Sequence, residues 1–265
     1  MASELREVAR RQFENGVVYA LSTADGFPVE TTDTFLPYYT KDAANQRTNR
    51  LRSKNFGSRW ERWMIGVSCM SGCPVKCQFC ATGQMKKWRR LTADEIVDQV
   101  EFILQQHDGA SFVAAAEHKV NYTRMGEPFL NVEAVREAIE IIESRYPGTH
   151  HYVSTIGIAG SDFSWIRDNI TLQLSLHSLH EERRNKLIPF PKKMSLQALG
   201  EIRTESALKT TLNMTLVEAA DFDIGKLREF FDPAKFFVKL SPINCNEVAN
   251  ANALGAGIIS GVNAA

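Results

Sequence analysis

Five cysteines stand in the 265 residues: Cys69, Cys73, Cys77, Cys80 and Cys245. Four of them fall within twelve residues, and the total is odd. A secreted disulfide framework spreads an even number of cysteines along a chain, so a group this tight reads first as a metal site. In Cys73-x3-Cys77-x2-Cys80, three thiolates would hold three irons of a [4Fe–4S] cluster. The fourth iron would stay open, as a reaction requires when a small molecule must bind the metal. Zinc is the competing reading. A structural zinc takes four donors, which Cys69 or a histidine would complete, and the chain would then be a non-catalytic zinc-binding module. Zinc sites usually place two ligand pairs on separate turns, whereas these cysteines share one continuous loop. That difference favours the cluster.

The elements that must position this loop alternate in type. Arg62 to Ser68 reads as a strand running directly into the cysteines. Thr92 with Glu95 three residues on forms a capping box, and Ile96, Val100, Ile103 and Leu104 follow on one helical face. Further strands are expected at 119–125, 151–156, 171–177, 209–217 and 236–243. The helices expected between them begin at Asn131, near Asp162–Asp168, at Ser195 and at about Asp223. Strands alternating with helices imply right-handed crossovers and a parallel sheet. Six such units suit an α/β fold of the partial (βα)6 TIM-type barrel kind, and functional residues of such barrels gather at the C-terminal ends of the strands. No GxGxxG follows the first strand, so nothing speaks for a dinucleotide fold.

Three segments are expected. Residues 1–60 form a short N-terminal extension, with a helix at 3–15, a hairpin of 17–21 with 28–32 around Asp25-Gly26, and a basic loop over 41–60. Residues 61–245 form the barrel. Residues 246–265, with six Ala, four Asn and three Gly, read as a loose tail or a chain cut short.

Composition sets outer limits. With 44% hydrophobic and 23% charged residues, the chain is of ordinary globular make-up, which excludes collagen-like, coiled-coil and largely disordered classes. No apolar run approaches the roughly 18–20 residues of a membrane span. The charged N-terminus lacks the apolar core of a secretory signal, so a cytoplasmic location is expected. The net charge of zero hides an asymmetry. Twelve Lys and Arg between residues 41 and 90 face only Asp42 and Glu61, which leaves that stretch at +10 and the remainder at −10. Such a block serves anionic partners, RNA or a phosphorylated small molecule, or else is a solvated loop whose charges pair elsewhere in the fold.

Ordered motifs add a resemblance. GCPVKCQFCATG (72–83) is similar to the cluster loop of the radical S-adenosylmethionine (SAM) superfamily. MGEPFLN (125–131), STIG (154–157), LSLH (174–177) and SPIN (241–244) resemble, within it, the RNA adenine-C2 methyltransferases that modify ribosomal and transfer RNA. The resemblance implies a six-stranded partial barrel, a [4Fe–4S] cluster on Cys73, Cys77 and Cys80, and SAM as the second cofactor. It implies an electron donor such as flavodoxin or ferredoxin and reductive cleavage of SAM to a 5′-deoxyadenosyl radical. It places Gly126 and Glu127 at the SAM amino group, where a carboxylate facing an ammonium makes physical sense. Ser154, Ser175 and His177 would meet the carboxylate and ribose, Asn244 the adenine region, and Phe79 would stack near the adenine. Glu30, in DGFPVETT, matches a glutamate that the family uses as a proton acceptor.

There are also departures. The methyltransferases work through a carrier cysteine on a C-terminal loop and a resolving cysteine seven residues before the first cluster cysteine. Gly66 occupies the second position, and the 21 residues after Asn244 stop short of the carrier loop. Cys69 and Cys245 are the only candidates to substitute. The expectation is therefore a radical SAM enzyme acting directly on an anionic substrate, with RNA adenine methylation through relocated cysteines as the alternative.

Overall fold

A computed structural model of the chain describes residues 5–37, 56–107, 111–216, 218–241, 243 and 246–254. The chain divides into two compact units whose segments interleave in sequence. The first comprises Met1–Ser71, Leu91–Met125 and Val132–His151, and the second Gly72–Arg90, Gly126–Asn131 and Tyr152–Ala265.

In the first unit, β1 (Arg6–Phe13), β2 (Gly16–Ser22), β3 (Pro28–Leu36) and β4 (Arg62–Val67) pair antiparallel in that order. β4 then pairs parallel with β5 (Glu117–Tyr122), Arg62 opposite Glu117. The expected N-terminal helix is therefore a strand. Leu5, Val8 and Phe13 are spaced loosely like a helical stripe, but Val8 and Phe13 are exposed. Pairing with β2 decides the conformation over local propensity. Gly16 closes the hairpin where a Cβ would fall 2.0 Å from the carbonyl oxygen of Asp33, so no other residue fits there. Exposed Arg6, Arg10 and Arg11 suit the end position of β1, where charge discourages further strand addition. The second hairpin forms as expected. Thr23 takes the Phe27 N–H on its hydroxyl at 2.9 Å, and Gly26 supplies a φ of +83°.

Helix α1 (Ala93–Gln105) opens on the expected capping box, Glu95 N–H to Thr92 Oγ1 at 3.2 Å and Thr92 N–H to Glu95 Oε2 at 2.9 Å. Its buried stripe is Ile96, Val97, Val100 and Ile103, while Leu104 is only half-buried. Burial of such side chains is worth about 1.5–3 kcal/mol each. α2 (Val132–Arg145) buries Val135, Ile139 and Ile142. β6 (His150–Thr155) begins in this unit and ends in the second.

A fully buried carboxylate anchors the antiparallel part. Asp33 accepts from Trp63 Nε1 at 2.8 Å, from Arg59 Nη2 at 2.5 Å, and pairs with His107 Nε2 at 2.7 Å. The end of β4 is fixed similarly, since buried Gln99 accepts the Ser68 N–H at 2.7 Å and donates to the Ser68 carbonyl at 2.9 Å.

In the second unit, the continuation of β6 is followed by β7 (Ile170–Ser175), α3 (Glu181–Leu187), α4 (Leu196–Gly200), β8 (Thr210–Thr215), α5 (Ile224–Phe230), β9 (Phe236–Ser241) and α6 (Glu247–Ala251). β7 and β8 pair parallel, as do β8 and β9. Ser195 and Asp223 cap α4 and α5 as expected. All six strands read from the sequence are present, and the fold is mixed α/β with parallel strands. The helix expected near Asp162–Asp168 is instead a run of turns. The Asp162 carboxylate takes the N–H and hydroxyl of Ser164, at 2.8 and 2.9 Å, an Asx turn that leads away from a helix. Among the described residues, no helix is long and apolar enough to cross a membrane.

Candidate functional site

Every described residue expected at the cofactor site, Glu30 apart, belongs to the second unit. The cysteine loop occupies Gly72–Arg90. Its shape is held by Cys80 N–H to the Cys77 carbonyl at 3.1 Å and by a short 3-10 turn at Ala81–Gln84. Lys76 adopts a φ of +58°, and Gly83 lies so close that a Cβ there would stand 2.7 Å from the Lys76 Cα. The loop is also held from outside. Gln78 N–H donates to the Leu187 carbonyl at the end of α3 at 3.0 Å. Asn246 donates to the Phe79 carbonyl at 3.1 Å and Asn252 to the Gln78 carbonyl at 2.7 Å. The first half of the expected loose tail is thus the capped helix α6, whose flanking asparagines grip the cysteine loop. Residues 255–265 lie outside the described residues, as do Asn244 and Cys245.

Cys73, Cys77 and Cys80 are half-buried and in no disulfide. Burial pushes the Cys73 thiol up to about 12 and the Cys77 thiol well above its ordinary value; the charges of Glu127 and Cys80 add to the rise at both, and that of Cys73 adds to it at Cys77. Among the described residues, no three His, Cys, Asp or Glu side chains are drawn into a cage for a single ion. Three unbridged thiols on one loop are nonetheless the kind of donor set that could hold an iron–sulfur cluster, a group wider than one ion. Cys69 belongs to the first unit, where its buried thiol donates to the Met125 carbonyl at 3.6 Å. A donating thiol keeps its proton, whereas a metal ligand must lose it.

Glu127 follows Gly126, whose φ is +104°, and is buried. Its Oε1 accepts the Phe129 N–H at 3.1 Å and its Oε2 the Ile156 N–H at 2.9 Å. Burial raises its carboxyl to about 7 against the lowering effect of hydrogen bonds from Thr155, Ile156 and Phe129. Each carboxylate oxygen has two acceptor sites, so a cation can still be received. Such a neighbour would also draw the proton off.

His177 ends the SLH motif at a φ of +62° and is buried. Its Nδ1 accepts the Thr215 N–H at 3.2 Å, which leaves the proton on Nε2. Burial first, then the charge of Arg184, lowers it to about 3, so the ring is neutral. Phe79 meets it edge-on, centroids 4.7 Å apart. Ser154 and Ser175, near the ends of β6 and β7, are half-buried. Glu30 lies in the first unit, ion-paired with Arg124. Gly66 packs there against Thr32 and Arg124, and a Cβ would stand 2.3 Å from the Thr32 hydroxyl.

The basic block separates into parts. Arg59 and Arg62 are taken up by Asp33 and Glu117, the paired alternative. Lys76, Lys86, Lys87 and Arg90 stay exposed on the cysteine segment beside the exposed Trp88. Lys41, Arg47, Arg50, Arg52 and Lys54 lie outside the described residues. Sequence reasoning missed Arg184, Asn246 and Asn252. Only the density of asparagine in an alanine-rich segment hinted at the last two.

A family model of the radical SAM superfamily matches residues 67–230. The chain belongs to the radical SAM superfamily. Among curated relatives, a probable dual-specificity RNA methyltransferase RlmN of Pseudothermotoga lettingae is 35% identical over 191 residues, covering 67% of this chain and 54% of that one. Its namesake from Chlorobium phaeobacteroides is 32% identical over 186 residues, covering 66% and 49%. This radical SAM chain thus spans about half the length of the curated relatives it matches. The crystal structure of a radical SAM methyltransferase from Sphaerobacter thermophilus shares its fold, with a TM-score of 0.65 at 24% identity, covering 92% of this chain and 68% of that one. The match begins at the end of β4, so the superfamily region includes the cysteine loop, Glu127 and His177.

Proposed function

We propose that this chain is a radical SAM enzyme that holds a [4Fe–4S] cluster on Cys73, Cys77 and Cys80 and binds SAM beside it. The observation that carries the reading is one compact unit uniting an unbridged CxxxCxxC loop with the buried Glu127 and His177. Bound together, the two cofactors supply one-electron cleavage of the sulfonium to methionine and a 5′-deoxyadenosyl radical.

The chain's own groups prepare the site. The three thiols give up protons on loading, so metal uptake falls as pH falls. Glu127 receives the SAM ammonium and ionises as it does so. Neutral His177 offers its Nε2–H to an oxygen, while Phe79 fixes its ring from the edge. Ser154, Ser175 and Asn244 complete the contacts to SAM. Glu30, held by Arg124, is the proposed proton acceptor. The exposed Lys76, Lys86 and Lys87 support an anionic substrate, RNA or a phosphorylated small molecule, and a flavodoxin- or ferredoxin-like protein would be the electron donor.

The names of the relatives speak for RNA methylation, and the second reading is accordingly RNA adenine methylation, which in this chain would have to use relocated cysteines. Against it stands Cys69, buried and engaged with Met125. Iron and acid-labile sulfide on anaerobically purified protein, with 5′-deoxyadenosine formation under dithionite, test the first reading. Alanine at Cys73, Cys77 or Cys80 should abolish the iron, and Cys69→Ala should retain it. Equal loss in the Cys69 variant would point to a four-ligand site of the zinc type. A stable methyl group on Cys69 or Cys245 after incubation with SAM would establish the second reading.

A further inference from the structure

Helix α3 carries EERRNKL, which by sequence is a solvated charge run, yet Arg184 within it is fully buried. Its Nη1 donates to the Met194 carbonyl at 2.6 Å and its Nη2 to the Ile156 carbonyl at 2.7 Å. Its Nε is buried and, among the described residues, has no partner. Both hydrogen-bond partners are neutral. The carboxylate of Glu181, one turn earlier, is engaged with the Leu196 amide. A buried guanidinium without a paired anion is costly, by several kcal/mol for an uncompensated ion. A fold that keeps one has a use for the charge.

Two contacts say where that charge is felt. The helix bearing Arg184 ends on the Leu187 carbonyl that holds the Gln78 amide, between Cys77 and Cys80. Ile156, whose carbonyl binds Arg184, gives its N–H to Glu127. Arg184 thus sits behind both the cysteine loop and the Glu127 turn. Burial lowers its pKa to about 10, and the charges of Glu181 and Cys77 oppose that lowering, so Cys77 lies within electrostatic reach. Half-buried Lys193 also feels Arg184, Glu181 and Cys77, and the neutral ring of His177 feels the charge of Arg184.

We propose that Arg184 is the fixed counter-charge of the cysteine-bound cluster, a positioning residue that sets how readily the cluster accepts its electron. The inference rests on the cluster reading above. Reduction adds one electron, and no proton, to a group that three thiolates already make anionic. A buried positive charge therefore favours the reduced form, and net charge and burial are among the determinants of such potentials.

The test uses the full chain, reconstituted anaerobically, with the midpoint potential read by EPR during titration with dithionite. Parent protein without iron and acid-labile sulfide would overturn the cluster reading itself, before any variant is compared. With a loaded parent, Arg184→Gln at equal iron and sulfide should be harder to reduce, its midpoint shifted negative, and Arg184→Lys should stay near the parent at neutral pH. Lys193→Gln, partly open to solvent, should shift much less. Should Arg184→Gln fail to hold its cluster, Arg184→Lys decides alone. A buried lysine loses its proton at a far lower pH than an arginine, so its midpoint should fall toward high pH while the parent's stays level. An Arg184→Gln midpoint equal to the parent's, or parallel pH profiles for parent and Arg184→Lys, would overturn the proposal.

Discussion

Glu127→Gln separates two roles of a single carboxyl, the backbone acceptor that the geometry shows and the ammonium partner proposed above. In the folded chain burial raises this group from an ordinary 4.5 to about 7. The folded state therefore prefers the protonated form. That preference is fully present below about pH 4.5 and is lost as the pH rises through about 7. Above that, keeping the carboxylate charged costs the fold about 3 kcal/mol, at about 1.4 kcal/mol for each tenfold step in proton affinity. Glutamine is neutral at every pH and escapes this cost. It has only one acceptor oxygen, however, for the Phe129 and Ile156 amides that the two carboxyl oxygens now share. A buried donor left unpaired costs about 1–3 kcal/mol.

The two terms have different pH dependence, so urea melts at two pH values resolve them. At pH 5 the variant should be less stable than the parent by about 1–3 kcal/mol, and at pH 8 the difference should vanish or reverse. SAM binding should respond differently. A charge-assisted hydrogen bond is worth about 1.5–3 kcal/mol, so at pH 8 the variant should bind SAM roughly ten- to a hundredfold more weakly. The parent's affinity should decline below about pH 7, by up to about tenfold per pH unit, because a proton must leave before the ammonium can pair. The variant's affinity should be level over the same range. Equilibrium binding to the anaerobically reconstituted protein from pH 5.5 to 8.5 reads this directly. Parent-like affinity with a parent-like pH profile in the glutamine variant would refute the pairing of Glu127 with the ammonium. An equal stability loss at both pH values would refute the role of burial.

Asp33→Ala leaves Trp63, Arg59 and His107 without their common acceptor in a buried place and should cost about 3–5 kcal/mol in urea unfolding followed by tryptophan fluorescence; a loss under about 1 kcal/mol would mean the network is dispensable. Gly66→Ala should cost about 1–3 kcal/mol by overpacking against the Thr32 hydroxyl, and adding Thr32→Ala should return part of that loss. Strict additivity of the two changes would show that the crowding is not between these residues. If RNA is the substrate, neutralising Lys76, Lys86 and Lys87 together should flatten the salt dependence of binding by about 0.7 in log–log slope for each phosphate that no longer meets a cation, with SAM affinity unchanged. An unaltered slope would move the substrate surface away from the cysteine segment.

What could be read from the sequence shares one property: its information is local. The Thr92–Glu95 box, the Ser195 and Asp223 caps and the six strands each declare themselves within a few residues. So does the cysteine spacing, because one loop must carry all three thiols. The two misread elements fail where a neighbour outvotes the local pattern. Residues 6–13 become a strand because β2 offers a ladder, and Asp162 spends its carboxylate on Ser164 instead of capping a helix.

The groups most opaque to sequence are charges that the fold chooses to bury. Asp33 gathers partners 26, 30 and 74 residues away, a set that no window on the sequence contains. Arg184 lies in a run of charges indistinguishable by type from its exposed neighbours, and only its burial marks it out. A buried ion must be answered by something of opposite charge or by many dipoles. Asp33 is answered within the chain by Arg59. Arg184 has two carbonyls as hydrogen-bond acceptors and the charge of Glu181 one turn away, and on the proposal above an anionic cluster on the cysteine loop would supply the rest, so the residue that sequence conceals best would be matched to the cofactor that the cysteine spacing suggests.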